Sequence, residues 1–413
     1  VSEHRNQEEE PVQGLVIDNV SVFVGDGEII PSAHVVVDGG RILEVAAGAP
    51  GDDVVRDRRR VGGDGGWLVP GYLDAHVHLC YRHLGSSDAT DEEGMAAGIL
   101  NARVKLLSGV TTVRDVGAFH RLNLELRSLI RSGDVVGPRM LAGGDFLATV
   151  GGHCHYWARE VDGPRDAAIG AQEQLDAGAD VIKIMASAGV ADAHEDPNAQ
   201  QLDAEELAAI VAVAQRHGAP VAAHAHPEVA IRAAVEAGCA TIEHGTYLTD
   251  DVVDLMIDRG VAVVPTLAVY ERMSTGADGG DRGTASLARA IWDEKIPRLQ
   301  SAIARGVQVG VGTDSGSNYP ADGYVRELEL LVDLGMSPTD ALKAATAGNA
   351  AILGLSAETG SIAAGLSADL VLLRTDPTAD ISACRDIRMV VAAGAVHEPT
   401  RLTPHHQQRG TDS

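Results

Sequence analysis

The chain has 413 residues, of which 59 are Asp or Glu and 33 are Lys or Arg, giving a formal net charge of −26. So acidic a chain lacks the Lys/Arg footprint that nucleic acid or an anionic membrane face demands, and its surface charge serves solubility. With 45% hydrophobic residues the composition is that of a globular protein, long enough for one large α/β domain plus something smaller. Aromatic residues are scarce (3 Phe, 3 Trp, 7 Tyr), so the core is expected to be Val, Ile, Leu and Ala, which favours buried parallel strands over an aromatic-rich sandwich.

Residues 1–11 and 401–413 read as polar tails. The opening Val1 to Glu10 is too polar for a signal peptide, and no 18-residue apolar run is present to span a bilayer, although a chain starting on Val1 leaves earlier processing open. Gly14 to Gly25 and His34 to Ala47 carry short β-branched runs broken at Gly25-Asp26-Gly27 and Gly39-Gly40, as antiparallel strands do. From residue 68 the texture becomes short apolar runs separated by helical segments. Strands are predicted at Leu68–Leu73, Thr111–Asp115, Arg139–Ala142, Asp180–Met185, Pro220–His224, Ala240–Glu243, Val261–Thr266 and Val309–Thr313. Gly109, Gly178, Gly218, Gly238, Gly260 and Gly306 each stand just before such a run, where a helix C-terminus turns into a strand. Asp203–His217 and Asp250–Asp258 carry helical periodicity. Eight βα units match a (β/α)8 TIM barrel over 68–364 better than an open doubly wound sheet, and no Gly-x-Gly-x-x-Gly fingerprint opens a helix. Ser337-Pro338-Thr339-Asp340 is a helix start with Pro at N1, leading to about Leu353. Ala368–Leu373 and Met389–Val396 return to strand, so a small β-sandwich domain is expected from 12–67 and 365–400 together. Cys80, Cys154, Cys239 and Cys384 are scattered without a Cys-x-x-Cys pair, which argues against a disulfide framework or a thiolate zinc site and points to a reduced cytoplasm.

In a TIM barrel, function sits at the C-terminal strand ends. The first strand delivers Asp74-Ala75-His76-Val77-His78, whose two histidines at i and i+2 lie on one face of an extended chain. The fifth delivers His224, the sixth Glu243-His244-Gly245 and the eighth Gly312-Thr313-Asp314-Ser315. The fourth carries Lys183 within Asp-Val-Ile-Lys-Ile-Met, where burying an ammonium is costly. Read singly, Lys183 snorkels to the strand end; beside metals, its neutral amine can take up carbon dioxide as a carbamate, an oxygen ligand able to bridge two cations. Arg114-Asp115 reads as a buried ion pair orienting the mouth, and Cys154 as an inert neighbour of the site. His4, His34, His120, His194, His217, His397, His405 and His406 read as surface residues, whereas His83, His155 and His226 stay open. The glycine-rich stretch Met273 to Gly283 has the composition of a mobile lid.

Taken together, His76-x-His78, Lys183, His224, Glu243-His244-Gly245 and Gly312-Thr313-Asp314 resemble the amidohydrolase superfamily, in its imidazolonepropionase-like and prolidase-like branch. The flanking Leu68-Val69-Pro70-Gly71, Gly109 to Asp115, Gly151-Gly152-His153 and Gly365 to Leu370 carry the same resemblance. It implies that His76, His78, Lys183 and Asp314 hold one divalent metal, and carboxylated Lys183, His224 and His244 a second. Zinc suits such His/carboxylate sites. It further implies a metal-bridging hydroxide as nucleophile, Asp314 as proton shuttle, and His153 and Tyr247 as residues facing the substrate. The presence of Lys183 aligns the chain with dipeptidase and amide-hydrolase members more than with true imidazolonepropionases. The expected substrate is a small amide, a dipeptide of the Xaa-Pro type or an N-acyl amino acid. A cyclic amide or lactone hydrolase or a deaminase remains the alternative on the same site, with promiscuous action on organophosphates or mycotoxin amides. A non-catalytic binding module is disfavoured because no ligand is missing. The expected assembly is a homo-oligomer, and Arg159, Lys183 and Arg282 are the cations placed near the mouth.

Overall fold

The computed structural model describes residues 14–81, 90–189, 196–277, 282–316 and 320–399, and counts below refer to them. Both chain ends build one sheet: β1 (Leu15–Phe23), β2 (Ile29–Asp38), β3 (Arg41–Ala47), β4 (Arg59–Gly62) and β5 (Trp67–Pro70) from the first, and β15 (Leu370–Leu373), β16 (Ile387–Ala392) and β17 (Ala395–His397) from the last. Its order is β17-β16-β15-β5-β1-β2-β3, with β4 paired to β1. Strand alternation divides these residues between two cores. Leu68, Leu370 and Leu372 join a cluster internal to the sheet, whereas Val69, Val371 and Leu373 join the large core of the rest of the chain.

Between these ends, parallel strands alternate with helices in an α/β arrangement. β6 (Tyr72–Val77), β7 (Val110–Asp115) and β8 (Arg139–Ala142) form one sheet. β9 (Leu147–Thr149), β10 (Arg159–Val161), β11 (Ile182–Met185), β12 (Val221–Ala225), β13 (Thr241–His244) and β14 (Ala262–Val264) form another, ordered β10-β9-β11-β12-β13-β14. The Asp180 N–H donates to Ala142 O at 2.8 Å, tying the entry of β11 to β8. All six helix-terminal glycines have positive φ, and the helix Ala204–Arg216 is capped by Asp203, which accepts from the N–H groups of Glu205 and Glu206.

Two expected strands come out differently. Leu68–Leu73 is two strands, because at Gly71 the chain leaves the end-built sheet for the parallel one. A Cβ on Gly71 would lie 2.1 Å from Thr111 Oγ1, so only glycine lets the backbone cross there. Val309–Thr313 has no continuous ladder. It is bridged to Val263 at Val309, and Ser315 is bridged to Val77. Between them, the buried Asn349 side chain accepts from Val311 N (3.0 Å) and donates to Val311 O (2.8 Å) and Leu73 O (2.6 Å). The amide adds to backbone bonds that tie this segment to both neighbours, Ala75 N to Val311 O (2.9 Å) and Asp314 N to His76 O (2.8 Å) on one side and Gly310 N to Val263 O (2.8 Å) on the other. Among the described residues no helix is long and apolar enough to cross a membrane.

Candidate active site

The C-terminal ends of the parallel strands converge on a cavity of about 570 Å³ including its open mouth. His76, His78, Lys183, His224, His244 and Asp314 all line it. The Nε2 atoms of His76 and His78 each lie 3.6 Å from Asp314 Oδ1, and potential ligand atoms of His76, His244 and Asp314 all fall within 4.8 Å of one another. The His224 ring centroid is 4.6 Å from that of His244. Six residues drawn from five separate segments therefore share one floor.

Each imidazole is held by its other nitrogen. His76 Nδ1 meets Glu243 Oε2 at 2.5 Å, His78 Nδ1 donates to Gly117 O at 2.8 Å, and His244 Nδ1 meets Thr266 Oγ1 at 2.7 Å. These bonds leave the Nε2 lone pairs for the cavity. His224 is reversed: its Nε2 donates to Ala188 O at 3.3 Å, which leaves Nδ1. Burial pushes His78, His224 and His244 well below the usual imidazole range, so the rings are neutral and able to ligate. His244, Thr266 and Asp314 have φ of 69°, 50° and 53°, left-handed values that a non-glycine residue adopts at a cost and that cluster at functional sites.

Lys183 is 1% exposed, and its Nζ has no hydrogen-bond partner. Burial lowers its pKa to about 8, against the opposing pull of Glu243 and Asp314. An orphaned amine among imidazoles and carboxylates is expensive as it stands. It fits a centre in which that nitrogen carries a carboxylate and the surrounding donors hold divalent ions.

Glu243 lies under this floor. It accepts from Arg114 Nη2 at 2.8 Å as well as from His76, and is fully buried. Burial raises its carboxyl, but Arg114 and His76 outweigh burial and hold it well below the usual carboxylate range. The expected Arg114–Asp115 pair is thus corrected, since adjacent strand residues face opposite sides. Arg114 turns to Glu243, and Asp115 instead accepts from Leu79 N (2.8 Å), Asn123 Nδ2 (2.9 Å) and Gly117 N (3.1 Å). Asp74, two residues before His76, accepts from Lys105 Nζ (2.7 Å), Thr313 Oγ1 (2.7 Å) and Thr313 N (3.0 Å), pinning the residue before Asp314. The sequence reading missed these supports; the same-parity spacing of Asp74 to His76 and the Glu243-His244 pairing were their only local signals.

His153 lines the cavity and stacks on His224 with ring centroids 4.5 Å apart. Its ring packs on Gly189, where a Cβ would sit 2.3 Å away. Cys154 lines the cavity beside it. Tyr247 is not among the lining residues; its ring lies 5.9 Å from the Arg298 guanidinium carbon. His226 is buried behind the floor, with Nδ1 at 2.7 Å from Thr246 Oγ1 and Nε2 at 3.1 Å from Tyr270 OH. His155 is half-exposed, 3.7 Å from Glu160. His34, expected at the surface, is buried, its Nδ1 donating to Gly48 O at 2.9 Å. Arg159 is committed to Asp166 and Glu173 at 2.8 and 2.9 Å. His4, His83, His194, His405, His406, the Arg282 side chain and positions 278–281 of the expected lid lie outside the described residues.

The amidohydrolase family model matches residues 67–396. The chain belongs to the amidohydrolase family. It is 31% identical over 360 residues to the ochratoxinase of Aspergillus niger, covering 78% of this chain and 73% of that protein. With the imidazolonepropionase of Salinispora arenicola it shares 26% identity over 406 residues, 88% of this chain and 92% of the other. Among solved structures, a Xaa-Pro dipeptidase with methionine bound in its active site superposes with a TM-score of 0.87 at 27% identity, over 93% of this chain and all of that one. This amidohydrolase thus has the TIM-barrel type of α/β fold, and it is a hydrolase acting on carbon–nitrogen bonds in a family that is generally metal-dependent.

Proposed function

We propose that this amidohydrolase holds two divalent ions, zinc by the chemistry of its donors, and cleaves the amide bond of dipeptides of the Xaa-Pro type or of N-acyl amino acids. The observation that carries this reading is the orphaned, buried Lys183 amine amid imidazoles whose free nitrogens face one cavity. His76, His78 and Asp314 would hold one ion, His224 and His244 the other, and a carboxylated Lys183 would supply oxygen donors between them. When bound, such a pair makes water a nucleophile at neutral pH and polarises the scissile carbonyl. Asp314, whose carboxyl is raised by burial, accepts the proton of the attacking water and returns it to the leaving amine. His153, stacked on His224 at the cavity wall, donates to the substrate's carbonyl or carboxylate oxygen. We also read the parallel strands with 309–315 as a closed (β/α)8 barrel over 68–364, and the end-built sheet as a folded sandwich domain of 12–67 and 365–400.

Metal analysis of protein expressed with zinc tests this proposal, together with a library of dipeptides, N-acyl amino acids and, given the likeness to ochratoxinase, that enzyme's toxin amide. Two ions per chain are expected, and Lys183→Ala should bind one or fewer and lose activity roughly 10³-fold, the scale of removing a transition-state stabiliser. Full activity with less than one ion per chain, or in His244→Asn, would sink the reading.

A further inference from the structure

The chain has 13 aromatic residues, and its large core is mainly aliphatic. Four of them nevertheless line this one cavity: Tyr81, Phe146, Trp157 and Tyr270. They are not scattered. Tyr81 and Trp157 stack with centroids 4.3 Å apart and planes 24° from parallel, and the His78 ring lies 5.6 Å from Tyr81 and 6.4 Å from Phe146. Around this wall, Phe119 sits 5.7 Å from Tyr81, and the exposed Tyr156 sits 4.8 Å from Trp157. On the side of His244, the helix Leu267–Ser274 presents Val269, Tyr270 and Met273, with the Tyr270 ring 5.6 Å from that of His244. His76 lies between the two, 5.3 Å from His78 and 5.2 Å from His244. The polar floor is therefore flanked by an aromatic wall and an apolar helix wall.

Flat, stacked surfaces beside a reacting carbonyl suit flat apolar groups, which gain by stacking and by leaving water. Resting on the amide-hydrolase reading above, we propose that this site selects amides bearing bulky apolar groups on both sides of the scissile bond, at least one of them aromatic. Trp157 and Met273 determine specificity on the two walls. Hydrolysis adds water across the C–N bond, the oxygen to the acyl carbon and the protons to the amine, and releases an aromatic carboxylate or aromatic amino acid.

The test is a two-by-two set of substrates: N-acetyl-alanine, N-acetyl-phenylalanine, N-benzoyl-alanine and N-benzoyl-phenylalanine. Turnover is followed on the zinc-loaded enzyme, and binding of the same four compounds to chelator-treated protein is followed by calorimetry. Each aromatic group is expected to raise kcat/KM by at least ~10-fold, the discrimination a hydrophobic pocket makes on apolar size. The N-benzoyl-phenylalanine to N-acetyl-alanine ratio should fall ~10-fold or more in Trp157→Leu and separately in Met273→Ala, so that one unfolded variant does not silence the test. A flat series, or ratios untouched in both variants, overturns the proposal while leaving amide hydrolysis standing. Preferential binding of the aromatic compounds with no turnover of any upholds the selectivity and overturns the hydrolase reading instead.

Discussion

Glu243 shows how much of the site depends on groups that cannot themselves reach a substrate. Its Oε1 accepts from Arg114 and Thr241 and its Oε2 from His76, so replacing it with Gln disturbs both ends. Glu243→Gln is expected to weaken metal retention by about 10- to 100-fold, measured by competition with a chelator, as the loss of a ligand's orienting partner does. It should also lower stability by about 3–5 kcal/mol in urea unfolding, because Arg114 is left buried without a counter-charge. Asp115 allows a cleaner reading of pH. Burial pushes its carboxyl up to about 7, although three hydrogen bonds favour the ionised form. Between about pH 4 and pH 7 the unfolded chain has released this proton while the folded one keeps it, so Asp115's contribution is full below that window and falls as pH rises through it. Asp115→Asn cannot ionise. Its urea midpoint relative to the wild type should therefore improve between pH 5 and pH 8, by the equivalent of about 2–3 kcal/mol, and an unchanged difference would show that Asp115 is ionised throughout.

At the scale of elements, the strands reach the site only because particular side chains hold them there. Glu327, fully buried on the helix Tyr324–Asp333, accepts from the N–H groups of Leu267 and Ala268 at 2.8 and 2.7 Å. Lys295 of the helix Arg282–Arg305 donates to the carbonyl of Pro265. Together they fix the segment that carries Thr266, the partner of His244, and the wall residues after it. Glu327→Gln offers one acceptor where there were two, and should cost about 1–3 kcal/mol with faster hydrogen exchange at the start of the Leu267–Ser274 helix. Gly71→Ala tests the crossing between the two sheets. Its new methyl meets the side chain of Thr111, and a loss of about 1–3 kcal/mol in chemical unfolding is expected. Neither role was readable beforehand. A Glu in a helix's first turn resembles any solvent-facing Glu there, and Gly71 sat inside what alternation described as one continuous strand.

Over the whole molecule, the charge of −26 is mainly a surface property, whereas the site is a buried floor of imidazoles around one amine. Self-repulsion of the acidic shell should make the melting temperature rise when monovalent salt is raised from 0.05 to about 0.5 M, since the Debye length shortens to a few ångströms. A fall would mean that the surface ion pairs outweigh that repulsion. The proposed metal adds a second lever. Zinc-loaded protein should melt above chelator-treated protein, with a gain of about 2.7 kcal/mol when free metal stands at 100 times its dissociation constant.

The alternation of strands and helices, though not every strand, the helix-ending glycines and the six clustered donors were legible in the sequence, because each rests on local periodicity or on a residue type placed at a strand end. Asn349 bonded across to Val311 and Leu73, Glu243 rather than Asp115 facing Arg114, and His34 buried against Gly48 were not legible. Each depends on a partner tens to hundreds of positions away. The same holds for the aromatic walls: composition showed how few such rings the chain has, but only the folded chain gathered Tyr81, Phe146, Trp157 and Tyr270 around one floor. Local pattern decides which elements form and what chemistry they carry. Long-range packing decides which side chains meet, since hydrogen-bond partners and stacked rings are settled by distance in space and leave no periodic mark along the chain.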